Sequence, residues 1–550
     1  MTSMLAGCAA ATILLASSAM ALPPGFKVKA DRLLAAAYAA DGPGASVAIS
    51  EHGKIVYVGT RGLANVAAKK PITPQSVFRV GSITKQFASA VVLQLAWEGK
   101  LKLSDPLSLY LPTYPNGAAI TVAELLNHTS GIQSYTNIPG WMAEANFGHA
   151  YTTDQMIAVF KDLPAPSKPG QAWSYNNSGY FLVGALIEKV TGKPWYQAVD
   201  ARIVKPIGLT MRYGGDEPRI AAMATGYSED DHGVALAKHI DMSVPGAAGA
   251  LDGTPSDLAR WGYALHHGMV VAAPYYAQMI APTKLPDGSV KPYGFGLENG
   301  TLRGQPTIGH SGGIPGFSTD SLYVPAEELF VAVYANSDQP KTSPESIVRR
   351  LAALAIGKPF PTFTATKLDA AAMKPLLGVY QFKDAKRTLF ERDGKYFTRR
   401  DDGPESEVFA AKGNRFFYGG DELTWFAVIK NAAGKMIYQR HNNGEDEIDP
   451  GTWIGPVPAT PAAVAVAPAT LASYVGPYTA AIGKVAIAKS ANGGLTIQLT
   501  GQPPFPLRPT SDNNFMVDQV GAKVTFIVEG GKAVRLDIVQ GGQTLPATRD

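Results

Sequence analysis

Apolar residues at helical spacing from about Ala30 to Ala40 predict a first helix. Gly44-Ala45-Ser46-Val47-Ala48-Ile49-Ser50 and Lys54-Ile55-Val56-Tyr57-Val58-Gly59 then alternate around His52-Gly53, the signature of a β-hairpin. From Ser82 to Trp97 the chain is apolar almost all round, which predicts a buried helix ended by Gly99. From Leu101 to about Ile207 the pattern reads as mostly helical, broken at Pro106, Pro112–Pro115 and His128-Thr129-Ser130-Gly131. Within it Tyr180 to Val190 is a helix for which Asn177-Ser178 is the expected cap. Pro255-Ser256-Asp257 opens another amphipathic helix carrying Leu258, Trp261 and Leu265. Strand patterns return at Gly294-Phe295-Gly296-Leu297, Thr307-Ile308-Gly309-His310, Ser318 to Val324 and Leu329 to Asn336. Strands at both ends with helices between predict an α+β domain whose sheet is completed by its C-terminal part.

The character changes at a Pro/Thr linker from Gly357 to Thr366, after which short strands and Gly turns dominate. A second, Ala/Pro-rich linker runs from Pro456 to Pro468. Leu377-Gly378-Val379-Tyr380 recurs as Val475-Gly476-Pro477-Tyr478, and the Gly434-Lys435 turn recurs as Gly531-Lys532. This offset implies two copies of one small β domain, expected as barrels over 371–455 and 470–550, after a first domain over 22–365.

The chain has 550 residues, 46% hydrophobic and 17% charged, with a formal net charge of +4 and no basic run of the kind that binds nucleic acid. Residues 1–21 combine a short apolar stretch with Ser17-Ser18-Ala19-Met20-Ala21, a small-residue cleavage pattern. They are expected to be a secretory signal peptide cut after Ala21, sending the protein to the periplasm or outside the cell. The only cysteine, Cys8, falls in this segment, where Leu5-Ala6-Gly7-Cys8 imitates a lipid-anchor site. A mature chain would then lack disulfides, thiol nucleophiles and Cys-ligated metal, and no later stretch reaches membrane-spanning length.

The candidate chemistry lies at Gly81-Ser82-Ile83-Thr84-Lys85, the only Ser-x-x-Lys in the chain. On a helix the two side chains lie one turn apart on the same face. A lysine amine shielded from water can lose its proton near neutral pH and activate the hydroxyl. Tyr175 and Asn177, on a turn before a helix, offer a proton shuttle and a group able to orient Lys85 and bond a substrate amide. In Gly309-His310-Ser311-Gly312-Gly313 no large side chain follows the histidine, so a substrate backbone could approach that strand closely.

Ser82-x-x-Lys85, Tyr175-x-Asn177 and His310-x-Gly312, in this order, resemble the three motifs of the serine β-lactamase and penicillin-recognising superfamily. The likeness is to the branch with class C β-lactamases, DD-peptidases, D-aminopeptidases and related esterases. Leu125-Leu126-Asn127-His128-Thr129-Ser130-Gly131 and Gly309 to Phe317 also look like family segments. The resemblance spans about residues 30 to 350, and the trailing β domains make the layout similar to that of D-aminopeptidases. It implies an antiparallel sheet packed by helices, an all-α lobe and two C-terminal antiparallel barrels. It implies Ser82 as acylated nucleophile, Lys85 with Tyr175 as the proton-transfer pair, and the N–H groups of Ser82 and Gly313 as oxyanion hole, with Gly312 on the substrate strand. His310 stands where many relatives place lysine; a neutral imidazole disfavours carboxylate recognition and favours esters, or amides such as N-terminal D-residues. By the same likeness, the Gly501 to Asn514 segment, with Asp512, could reach the cleft.

Rival readings are DD-carboxypeptidase or β-lactamase activity at the same site, and a non-catalytic receptor for peptidoglycan fragments. Gly309-x-Ser311-x-Gly313 also matches the nucleophile elbow of α/β-hydrolases, which requires a strand-to-helix turn. Tyr135-x-Asn137, Tyr334-x-Asn336 and His266-x-Gly268 repeat the short motifs in other contexts. The histidines are scattered without metal-ligand spacing, so neither metal nor cofactor is expected. The expected partner is a small-molecule or short-peptide substrate, and a homodimer is left open.

Overall fold

The alternating stretches at the two ends of the first domain meet in one sheet. The computed structural model describes residues 22–550 except 216–219, 231–232, 368, 420–421, 460–461, 481, 491 and 542. The expected leader, with Cys8, lies outside the described residues. Helix α1 (Phe26–Ala37) starts earlier than the pattern suggests, because its buried stripe is Phe26, Ala30 and Leu34. Strands β1 (Ala45–Glu51) and β2 (Lys54–Arg61) form the expected hairpin, with His52 at φ 48° and Gly53 at φ 76°, the left-handed pair of a tight two-residue turn. Helix α2 (Thr84–Trp97) follows a 3₁₀ turn at Gly81–Ile83. Helices α3 (Asn177–Thr191) and α4 (Pro255–His266) come next, then strands β3 (Glu298–Leu302), β4 (Gln305–Ile314), β5 (Phe317–Val324) and β6 (Leu329–Ala335), and helix α5 (Pro344–Ala355). The antiparallel sheet runs β3-β4-β5-β6-β1-β2, so β1 and β6, far apart in sequence, pair at its centre from Ala45 opposite Ala335 to Glu51 opposite Leu329.

Each face of the sheet buries a separate apolar set. One face packs on α1 and α5 through Phe26, Leu34, Val47, Ile49, Val331, Val333, Ile347 and Leu351. The other packs on α2, α4 and the helical lobe through Phe78, Phe87, Val91, Leu95, Leu258, Trp261 and Phe330. Every α2 residue from Thr84 to Leu93 is buried. Its few polar side chains find partners there: Gln86 accepts from the Trp261 indole N–H at 2.9 Å, and Ser89 meets the Tyr180 hydroxyl at 3.0 Å.

Two expectations need correction. Gly294 to Leu297 is irregular rather than strand: Gly296 has φ 74°, and a Cβ there would stand 2.9 Å from the Lys85 carbonyl carbon, so the small residues serve close packing on α2. The stretch from 101 to 207 holds short helices, such as Val122–Leu126 and Thr153–Ala158, each opened by a capping box, and irregular turns around the long α3. Among the described residues no helix is long and apolar enough to cross a membrane.

Two closed antiparallel barrels follow, with strands running from Gly378–Gln381 to Asp449–Gly455 and from Gly476–Ala480 to Gln543–Arg549. The sequence repeat has a structural counterpart. Gly378 and Gly476 share an unusual φ of 151° and 148°, and the buried Tyr380 and Tyr478 hydroxyls donate to the carbonyls of Leu376 and Tyr474, four residues back in each case. Gly434-Lys435 and Gly531-Lys532 both join the sixth and seventh strands of their barrels.

The first barrel grips the far end of the β3–β4 hairpin. Arg303, at the turn, donates to the Gly444 carbonyl at 2.8 Å and pairs with Asp446 at 2.7 Å, while Arg349 of α5 pairs with Glu445 at 2.6 Å. Arg349 and Glu445 are 11% and 14% exposed, so each leaves a poorly solvated charge if the other is removed. The segment from Gly501 to Asn514 is tied into its own barrel: Arg508 pairs with Asp518, and the Asp512 and Asn513 carbonyls accept from Tyr474 and Phe526. Replacing Glu445 with Ala is expected to destabilise the first barrel's docking by about 1–3 kcal/mol. Faster proteolysis within residues 357–366, with the first domain's own melting transition retained, is the readout; an unchanged cleavage rate refutes the clamp.

Candidate active site

The nucleophile candidate sits where an irregular strand end becomes a helix. Ser82 lies in the 3₁₀ turn that feeds α2, so the helix N-terminus points its N–H groups toward the residue's surroundings. Gly81 is left-handed (φ 53°), and a Cβ on it would come 3.0 Å from the Gly313 nitrogen. A Cβ on Gly312 would strike the Val80 carbonyl at 2.1 Å. These two glycines let β4 press against the Ser82 turn, and the Thr319 hydroxyl, donating to Val80 at 3.0 Å, adds to the contact. The β3 partner of β4 ends opposite Gly309, so residues 310–314 keep one backbone edge free beside Ser82.

Lys85 is fully buried and reaches three oxygens: Ser82 Oγ at 2.9 Å, Asn177 Oδ1 at 2.9 Å and the Ala248 carbonyl at 2.8 Å. Burial alone holds its ammonium well below the usual lysine range. Once neutral, the amine has two N–H groups, which suit the Asn177 and Ala248 carbonyl oxygens. Its lone pair then faces Ser82, whose hydroxyl becomes the donor.

Asn177 occupies the first turn of α3 because the cap is Asn176, whose Oδ1 accepts from the Gly179 N–H at 2.9 Å. Its amide is oriented by Thr136, which accepts from Nδ2 at 3.3 Å and leaves Oδ1 toward Lys85. The segment around Tyr135, one of the decoy motifs, therefore serves the site as a scaffold. Tyr175 hydrogen-bonds Ser82, its ring centre lies 4.8 Å from Lys85 Nζ, and burial keeps its phenol protonated well beyond the usual range. The arrangement brings together a hydroxyl, an amine whose charged form burial disfavours and a phenol, and can move a proton between them.

His310 is buried, with Nδ1 2.5 Å from the Ser311 carbonyl and Nε2 2.8 Å from the Tyr293 hydroxyl. A carbonyl can only accept, so Nδ1 carries the proton and Nε2 accepts from Tyr293. Burial, with Lys85 nearby, pushes the imidazole pKa down to about 3, so the ring is neutral at any ordinary pH. Gly312 and Gly313 offer backbone only.

Two participants were missed in the sequence. Tyr293 fixes the His310 tautomer and stands 6.2 Å, ring to ring, from Tyr175. His128, left-handed at φ 65°, accepts the Asn176 N–H at 3.1 Å, and its ring lies 4.4 Å from Tyr175 and 4.7 Å from Tyr293. Only the family-like segment around residue 128 signalled the second; Tyr293 carried no motif. The rivals fall away on geometry. Ser311 lies within β4, which turns through Pro315-Gly316 into another strand, not a helix. Tyr334 is buried in β6, and Asn336 bonds backbone groups of Gly44, Leu63 and Thr225. Among the described residues no cluster of His, Cys, Asp or Glu is placed to hold a metal ion.

A family model described as beta-lactamase matches residues 30–355. A penicillin-binding protein of Bacillus subtilis (strain 168) is 26% identical over 427 residues, 73% of this chain and 94% of its own length. A D-aminopeptidase of Brucella ovis is 27% identical over 299 residues, and this match spans 54% of the chain and only 56% of that relative. Among solved structures, a D-stereospecific amidohydrolase from Streptomyces sp. is similar at 30% identity and a TM-score of 0.52, over 60% of this chain and 98% of its own. An octameric penicillin-binding protein homologue from Pyrococcus abyssi is similar at 25% identity and a TM-score of 0.56, over 77% and 99%.

Burial also sets a pH dependence of stability. His310 and His266 have pKa values pushed down to about 3, and His128 is likewise held well below 6.5. Between pH 6.5 and about 3 these histidines bind more protons in the unfolded chain than in the folded one. The stability these histidines contribute is therefore complete above pH 6.5 and falls as the pH drops through this window, by roughly 3–5 kcal/mol at its lower end for each of His310 and His266. Urea midpoints at pH 7.5 and 4.5 should show the loss, and His266→Gln should lessen it; equal slopes in both proteins would contradict this account.

Proposed function

The chain belongs to the beta-lactamase family, and from that premise we propose that it is an exported serine hydrolase. It forms an acyl-enzyme on Ser82 and cleaves esters or uncharged peptide-like amides, including those of D-residues. The observation that carries the reading is the buried, counterion-free Lys85 amine 2.9 Å from Ser82 Oγ. Lys85 accepts the Ser82 proton as the oxygen attacks the substrate carbonyl. The developing oxyanion lies against the N–H groups of Ser82 and Gly313. Tyr175, protonated and bonded to Ser82, gives its proton to the leaving oxygen or nitrogen and recovers one by way of Lys85. Water then attacks the acyl group by the reverse route.

The substrate class follows from what the site lacks. Both nitrogens of His310 are occupied and the ring is neutral, so β4 offers no fixed cation for a carboxylate. This favours the ester and amide reading over DD-carboxypeptidase or β-lactamase activity. The names of relatives, D-aminopeptidase and D-stereospecific amidohydrolase, agree in direction. A non-catalytic receptor would have no use for a neutral lysine held against a serine.

Ser82→Ala is expected to lower kcat/KM for a p-nitrophenyl ester and for a D-alanyl anilide by at least about 10³-fold, and to abolish fluorophosphonate labelling located by peptide mass spectrometry. Undiminished turnover, or a label on Ser311, overturns the mechanism. Gly312→Ala, which drives a methyl group into the Val80 carbonyl, should part β4 from the Ser82 turn. It is expected to cost about 10²–10³-fold in kcat and to lower the melting temperature while the variant still folds; a folded variant with kcat within threefold of wild type would show that this contact does not build the oxyanion site.

A further inference from the structure

Behind the peptide turn that accepts from Lys85 lies a second cavity, of about 320 Å³, which the chemistry above does not use. Its walls include the rings of Tyr151, Phe181, Trp195, Tyr196 and Tyr213 and the carboxylate of Glu188. Tyr196 and Tyr213 stack at 4.3 Å, and Trp195 stands perpendicular to both, at 86° and 88°, so the rings on this side hold one another in place. Glu188 is held in place by the Thr153 hydroxyl and the Trp195 backbone N–H, both at 3.2 Å, and pairs with no cation among the described residues. No lysine, arginine or histidine lines the space. Aromatic rings lining a space beside a carboxylate that pairs with no cation favour a weakly hydrated organic cation over an anionic group.

We propose that this cavity is a binding site for an alkylammonium group. Gly246-Ala247 form part of its wall, and the next residue, Ala248, gives its carbonyl to Lys85 at 2.8 Å. That turn is tightly seated: Gly246 is left-handed (φ 47°) with Phe181 3.0 Å from where its Cβ would be, and Ala247 lies 2.9 Å from the Cβ position of Gly184. A cation in the cavity and the Lys85 amine thus share one rigid peptide turn, and occupancy bears on Lys85. The ammonium can be carried by the substrate or by a separate effector.

Choline and its uncharged isostere 3,3-dimethyl-1-butanol, titrated into the full-length protein by calorimetry, test the assignment. Choline is expected to bind saturably and at least tenfold more tightly than the isostere. Glu188→Gln and Tyr213→Leu, each with a melting curve like wild type, are expected to weaken it at least fivefold. Equal binding of the two compounds, or choline affinity untouched by both substitutions, overturns the site. This part stands whether or not Ser82 is the nucleophile. In turnover of an uncharged ester, saturating choline that raises KM alone assigns the cation to the substrate, and a changed kcat assigns it to an effector. Choline that binds yet alters neither constant overturns the link to Lys85.

Discussion

The structure around the site depends on one electrostatic constraint: an amine is buried at the sheet–lobe interface without a countercharge. A carboxylate beside Lys85 would restore its charge and give a structural ion pair. Instead its partners are a serine hydroxyl, a side-chain amide and a backbone carbonyl, all neutral and drawn from three parts of the chain. Each is fixed by something else. The Ser82 turn is fixed by β4 pressing through glycines, Asn177 by Thr136 and the cap at Asn176, and Ala248 by the seating of its turn against α3. The helix carrying the amine is buried over most of its length, so the site inherits the rigidity of the core.

The hydrophobic pattern made most of this legible. The hairpin at His52-Gly53, the buried α2, the strands near 307–335 and the doubled barrel are all written in local periodicity or turn chemistry. The strand misread at Gly294 to Leu297 marks the limit of such reading: small and apolar residues alternate there because Gly296 backs onto α2, a requirement of packing that imitates a strand. The short helices of the lobe show the same limit. Their capping boxes are local signals, but their length is set by the turns that carry Tyr135, Thr136 and Tyr151 to their places.

Of the candidate site, Ser82, Lys85, Tyr175, Asn177 and His310 could be proposed from motif order, because spacing on a helix or strand is a one-dimensional property. Their orientation could not. That His310 is neutral follows from burial and from Tyr293, a residue with no motif of its own. That Asn177 aims its oxygen at Lys85 follows from Thr136, in a segment that mimics the motif it serves. Second contacts of this kind join residues dozens of positions apart and leave no periodic trace.

The neutral His310 also completes the logic of the buried lysine. A permanent cation on β4 would lower the Lys85 pKa further, by like-charge repulsion, while supplying an anchor for anionic substrates. Here burial alone lowers the Lys85 pKa, and the strand offers hydrogen bonds without charge. On the proposed mechanism, activation of Ser82 is thereby separated from substrate anchoring, which is why the proposal assigns substrates that carry no carboxylate. On the same proposal, selectivity falls to the backbone edge of β4 and to the surroundings of the three groups, which can differ without disturbing the amine.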